Sequence, residues 1–146
     1  MSALNELFFS SGGKPAAHDT DLNLTIPTTG DPTHDFSKIA HVIAKGDTLA
    51  INLVPKGPGS AACTIVGYCA TLTDPAKIKV TSITTNGVPH SMPTHVTYPA
   101  GTTRIEFELN LDPRELILIG IIVEVVWPGG EKKRYLCDPQ VGNGPP

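Results

Sequence analysis

Five histidines, fourteen acidic side chains and three cysteines are the groups from which this chain could assemble acid–base, metal or nucleophilic chemistry. His90 and His95 stand five apart in His-Ser-Met-Pro-Thr-His, a proline-containing loop. Two imidazoles begin a metal site, but tetrahedral zinc needs further ligands, and no Cys-x-x-Cys or His-Glu-x-x-His accompanies them. Solvated loop histidines are the simpler reading. The segments His18-Asp19-Thr20-Asp21 and Asp31-Pro32-Thr33-His34-Asp35 flank the first expected strand. Asp19, Asp21, Asp31 and Asp35 are therefore expected to converge at one end of the domain, where calcium would accept their oxygens. The Asp-x-Asp-x-Asp-Gly spacing with a distal Glu is missing, and turn-forming aspartates explain the same residues. These four carboxylates and two histidines remain the weak metal candidates, and no cofactor is expected.

Nucleophilic catalysis has less to stand on. No Gly-x-Ser-x-Gly elbow occurs, and no glycine-rich phosphate loop opens a helix. No catalytic residue is assigned. An odd number of cysteines argues against a disulfide framework. Cys63 and Cys69, six apart on a regular strand, would share one face at a separation of about 20 Å, well beyond the ~7 Å Cα limit for a bridge. Cys137 reaches one of them only if its strand is a neighbour. Buried, reduced thiols are the expectation.

These groups must be positioned by strands. Apolar residues alternate at Leu22, Leu24 and Ile26, at Leu49, Ile51 and Leu53, at Ile78 and Val80, and most cleanly at Thr103, Ile105, Phe107, Leu109 and Leu111. Further strands are expected at 39–44, 62–73, 115–127 and 132–137. Pro27 to Asp35 reads as a loop, Lys45-Gly46-Asp47 as a hairpin turn, and Asn86-Gly87 as the strongest two-residue turn signal. No segment supports a helix of ten residues. The expected fold is all-β: an antiparallel two-sheet β-sandwich of immunoglobulin-like or jelly-roll type, with eight or nine strands. It occupies 21–138, preceded by an N-terminal arm over 1–20 and followed by a flexible tail over 139–146.

Composition excludes several functions. A net charge of −3 provides no basic field, so nucleic acid is not an expected partner. No run of about 18 apolar residues is present to form a membrane-spanning helix. The first residues lack a basic region followed by an apolar stretch of signal-peptide length, so a cytoplasmic protein is expected.

Two strands lack a polar face. Along 115–127, Ile117, Ile119, Ile121, Val123, Val125 and Trp127 occupy one side, and Leu116, Leu118, Ile122 and Val126 the other. Along 62–73, Cys63, Ile65 and Cys69 are set against Val66, Tyr68 and Leu72. A strand at the surface of a two-layer sandwich should show one wet face. The second face must be covered by the N-terminal arm, by a long loop, or by another subunit. The expected interface residues are Phe8, Phe9, Leu118, Ile122, Val126 and Trp127.

One family likeness rests on Gly46-Asp-Thr-Leu-Ala-Ile51, Ile65-Val-Gly-Tyr68, Thr84-Thr-Asn-Gly-Val88 and the closing Tyr135-Leu-Cys-Asp-Pro139. In this order the segments resemble the AidA/PixA inclusion-body proteins over the C-terminal two-thirds of the chain. Cys137 stands where that family carries an aromatic residue, and the N-terminal segment does not match. The resemblance implies a bacterial β-sandwich that accumulates in intracellular inclusions without a defined activity.

The leading expectation is a non-enzymatic protein acting through self-association or as a component of a larger assembly. The alternative is a binding module for carbohydrate or a divalent metal, using the loops at 27–35, 55–60 and 86–95. A hydrolase built on His90, His95 and the aspartate loops comes third.

Overall fold

Residues 102–109 show why this chain builds sheets: Ile105, Phe107 and Leu109 are fully buried while Arg104, Glu106 and Glu108 between them reach solvent. A period of two pays the entropy of an extended segment only when one face meets a core. The computed structural model describes residues 16–37, 45–71, 74–91, 98–137 and, for the backbone alone, 140–142. The expected strand over 39–44, Phe8, Phe9 and His95 lie outside the described residues.

Among the described residues there are ten strands and no helix: β1 (Ala17–Thr25), β2 (Thr33–Phe36), β3 (Thr48–Lys56), β4 (Ala62–Ala70), β5 (Ile78–Thr85), β6 (Val88–Ser91), β7 (Thr102–Leu109), β8 (Leu116–Val126), β9 (Lys132–Cys137) and β10 (Gln140–Gly142). Six form one sheet in the order β2-β1-β3-β7-β5-β6. In the other, β8 pairs with β4 on one side and with β9 and β10 in succession on the other. The two sheets share one core. Leu22, Leu24, Ile51, Ile105 and Phe107 from the first pack with Ile65, Ile119, Ile121, Val123 and Cys137 from the second. Tyr68 meets Phe107 edge-on across the gap, with centroids 5.0 Å apart. The chain is an all-β sandwich, as its patterning predicts.

Four details differ from expectation. First, β1 and β3 pair in parallel over their full length, from Ala17 opposite Thr48 to Thr25 opposite Lys56. Local turns give no sign of this, because β2 runs antiparallel to β1 and returns along it before β3 begins. The turn at Lys45-Gly46-Asp47 therefore does not close a hairpin onto β3, whose flanks at Thr48–Asn52 are taken by β1 and β7. Second, the first strand begins at Ala17, and part of the expected 27–35 loop is β2. Third, a bulge between Ile65 and Gly67 shifts the β4 register. Cys63 thus lies on the core side opposite Val125, and Cys69 on the outer side opposite Gly120. Cys69 is exposed rather than buried, and no disulfide links the three cysteines. Burial pushes the Cys63 thiol above its ordinary value. Fourth, the expected tail contributes β10.

Asn86-Gly87 performs as its type predicts. Both residues have positive φ, 51° and 80°, which matches the twist of the β5–β6 hairpin. Pro89 is tolerated because β6 is an edge strand.

The end of the sandwich at which β1 and β8 begin is tied by ion pairs. Lys77 Nζ lies 2.6 Å from Asp112 and 3.1 Å from Glu115, and Lys45 lies 3.3 Å from Asp112. The Lys77 hydrogen bond, with Lys45 behind it, holds the Asp112 carboxyl below its usual range. The Asp112 backbone N–H, then Lys77, does the same for Glu115. Bonds to both carboxylates raise Lys77. Depressed carboxylates stabilise the fold above their unfolded-state range and lose that effect as pH falls through their folded values. A raised lysine stabilises below its ordinary value and loses that effect as pH rises through the folded one. The network is thus intact between the two ranges. Melting temperature should fall on acidification through the carboxylate range, and Lys77→Met should flatten that limb. The change is expected to be small, because exposed pairs are solvent-screened. Melting curves at several pH values, in low and high salt, check it.

Candidate functional site

The two outer faces of the sandwich are unlike. On the six-stranded sheet the outer side of β1, β3 and β7 carries a paired polar cluster. Arg104 Nη1 donates to Asp19 Oδ2 at 3.0 Å and to Asn52 Oδ1 at 2.7 Å. Asn52 Nδ2 donates to Asp19 Oδ1 and, at 3.3 Å, to Asp21 Oδ1. Asp19 and Asp21 are therefore members of a cross-strand polar ladder on β1, not loop carboxylates. Asp35 stands on β2 opposite Asn23. Asp31 alone lies in a loop, beyond the other end of β1. The expected convergence of the four aspartates does not occur, because alternation along β1 spreads two of them over a wet sheet face. Among the described residues no three His, Cys, Asp or Glu side chains gather as a metal site. His90 sits exposed on β6, four strand positions from β1 and so about 19 Å away at the usual strand spacing. A hydrolase uniting His90 with Asp19, Asp21 or Asp35 is incompatible with that sheet order.

On the four-stranded sheet part of the outer face is apolar. Ile117, Ile119, Ile121, Val123 and Val125 face the core and are fully buried. Leu116, Leu118, Ile122 and Val126 take the other side of β8, as the alternation predicts. In the described chain, however, that side is not shielded: Leu116 is 54% and Leu118 47% exposed, while Ile122 and Val126 are half-buried. Pairing sets Leu136 of β9 beside Ile122 and Cys69 of β4 beside Gly120. Leu136 is 53% exposed. The missing side chain at Gly120 makes room for both neighbours: a Cβ there would overlap Leu136 Cδ1 and lie 2.9 Å from Cys69 Sγ. The result is an apolar shelf. One end of it is charged, with Arg134 Nε 3.1 Å from Glu124 Oε2 and Lys132 beside Val126.

Trp127 belongs elsewhere. It follows β8 and packs partly against the core, so it is not part of the shelf. Its N–H donates to the Glu131 carbonyl at 2.9 Å, closing the turn into β9. Around it opens a cleft of about 370 Å³, lined also by Thr28, Thr29, Asp31, Glu131 and Lys133. Tyr135 Oη donates to Asp31 Oδ1 at 3.0 Å, and Lys133 Nζ lies 3.6 Å from the same oxygen. Burial, then the bond to Asp31, pushes the Tyr135 phenol up to about 12, so it stays a donor across the physiological range. The loop 57–60 is held to this end by the Gly59 N–H bond to the Ile26 carbonyl at 2.8 Å. The turns at 27–31, 57–60 and 86–87 lie at this end of the sandwich, whereas 33–35 and 88–91 of the expected binding loops run back along β1 and β5 as β2 and β6.

Sequence reasoning missed Leu136, Gly120 and Cys69 on the shelf, and Tyr135, Glu131 and Lys133 at the cleft. The β8–β9 register, Ile122 to Leu136 and Val125 to Lys133, locates those on β9, and the β4–β8 register sets Cys69 beside Gly120. No family model matches this chain, and no curated protein matches it either.

Proposed function

We propose that this chain is a non-enzymatic, self-associating β-sandwich whose contact surface is the outer face of the four-stranded sheet. The contrast between the two outer faces carries the reading: one is a hydrogen-bonded polar ladder, the other presents Leu116, Leu118 and Leu136 to water. A second copy of the chain is the occupant that fits. Glu124, Arg134 and Lys132 place both signs of charge on one patch, so a copy related by a two-fold axis can meet it with opposite signs. The resemblance to inclusion-forming proteins points the same way.

The contact is weak by its own arithmetic. Each exposed leucine is already about half covered, so its remaining burial is worth roughly 0.7–1.5 kcal/mol. Six leucines from two copies supply about 4–9 kcal/mol, comparable with the lower half of an association cost of about 4–15 kcal/mol, with Ile122 and Val126 adding to it. Reversible, concentration-dependent association in the micromolar range or above is expected. Sedimentation velocity over a dilution series tests it. The wild-type chain should shift from monomer to dimer or larger, and Leu118→Lys with Leu136→Lys should stay monomeric at unchanged melting temperature. A wild-type chain monomeric at the highest concentrations overturns the proposal. If that monomer is also destabilised by Leu118→Lys, a segment of its own chain covers the face.

A further inference from the structure

We infer that the Trp127 cleft binds a neutral pyranose sugar, independently of how the sheet face is used. Its volume of about 370 Å³ lies at the small end of ligand pockets. The chemistry of the wall selects the ligand class by elimination. Asp31 and Glu131 set two carboxylates against the single ammonium of Lys133, which disfavours phosphates and other anions. Lys133 and the presence of one aromatic ring, rather than a cage, disfavour an organic cation. A metal ion would meet only two carboxylates, one of them already engaged by Lys133 and Tyr135.

What the wall offers is one aromatic surface with donors and acceptors around it. The negative face of an indole attracts the weakly positive C–H groups on the flat side of a pyranose ring. Thr28 and Thr29 both donate and accept, Asp31 and Glu131 accept, and Lys133 donates; a ring of hydroxyls, each donor and acceptor, matches that mixture. Part of the arrangement is set before any ligand arrives. Tyr135 bonds one Asp31 oxygen and the turn at 127–131 fixes the Trp127 backbone, while the Asp31 and Lys133 side chains, 70% and 50% exposed, are ordered by the ligand at some cost in affinity. The site is open on one side, and affinity near the millimolar range is expected.

Trp127 is the only tryptophan, so its fluorescence reports the cleft directly. The full chain would be titrated with glucose, galactose, mannose, N-acetylglucosamine, xylose, maltose and cellobiose, with inorganic phosphate, tetramethylammonium and calcium as controls. At least one sugar should give a saturable change in emission, and the controls none. Asp31→Ala should weaken that sugar about tenfold, the loss of a charge-assisted hydrogen bond, and Glu131→Gln serves where Asp31→Ala disturbs the loop. Saturation-transfer NMR on Trp127→Ala should lose the signal. No response from any sugar, a sugar signal surviving both Trp127→Ala and Asp31→Ala, or saturation by a charged control alone would each overturn the assignment.

Discussion

Replacing Asp47 with alanine is expected to lower the unfolding free energy by about 3 kcal/mol. Asp47 is fully buried. Oδ1 accepts the Ala16 backbone N–H at 2.7 Å, and Oδ2 lies 2.7 Å from His18 Nε2. Its carbonyl accepts Leu109 N–H at 2.8 Å. One residue thus joins the starts of β1 and β3 to the end of β7, and sets the first rung of the parallel ladder. Alanine takes this buried carboxylate away from the Ala16 donor and from the His18 ring, which is only 10% exposed. An asparagine recovers less than half, because its amide presents one acceptor and one donor where two acceptors stood. For a domain of this size, each kcal/mol shifts the melting temperature by about 2–4 °C. A drop of about 6–12 °C follows for Asp47→Ala. Urea unfolding of the two variants checks the ranking, and a loss below about 1 kcal/mol in Asp47→Ala contradicts it.

The second large effect is in the core. Phe107→Ala should cost about 3–5 kcal/mol, through lost burial and the cavity left behind. Phe107 is fully buried between Leu49 and Val80, and its ring also meets the edge of Tyr68 from the opposite sheet. Loss of that contact removes a bridge between the layers as well as volume. Phe107→Leu should cost far less, under about 1.5 kcal/mol, because it keeps most of the volume. Equal costs for the two would place the energy in the ring–ring contact rather than in packing.

The strands most legible in the chain are those whose polar face is wet and whose buried face is apolar. β7 is the clearest, and the Asn86-Gly87 turn fixes the β5–β6 hairpin. The start of β1 is hidden in the sequence because its inward residues before Leu22 are Thr20 and His18, polar side chains that mask the period of two. Thr20 is nonetheless buried. With that start hidden, Asp19 and Asp21 look like loop carboxylates. β2, Thr-His-Asp-Phe, carries one apolar residue and no alternation to detect. A bulge has no compositional mark, so the reversal at Ile65–Gly67 that turns Cys69 outward was invisible. The apolar stripe on β8 was readable from spacing; the shelf around it required the pairings of Gly120 with Cys69 and of Ile122 with Leu136. The cleft joins residues 28–31 to 127–133, and no pattern in one sequence announces such a meeting.

The side-by-side run of β1 and β3 also bears on how the chain is born. As it leaves the ribosome, β3 finds β1 already made, yet its other neighbour, β7, is synthesised only after β4, β5 and β6. The central strand must therefore wait, half-matched, for a partner from the last third of the polypeptide. Such remote pairings carry a high contact order, and folding in milliseconds to seconds rather than microseconds is the kinetic signature this topology imposes.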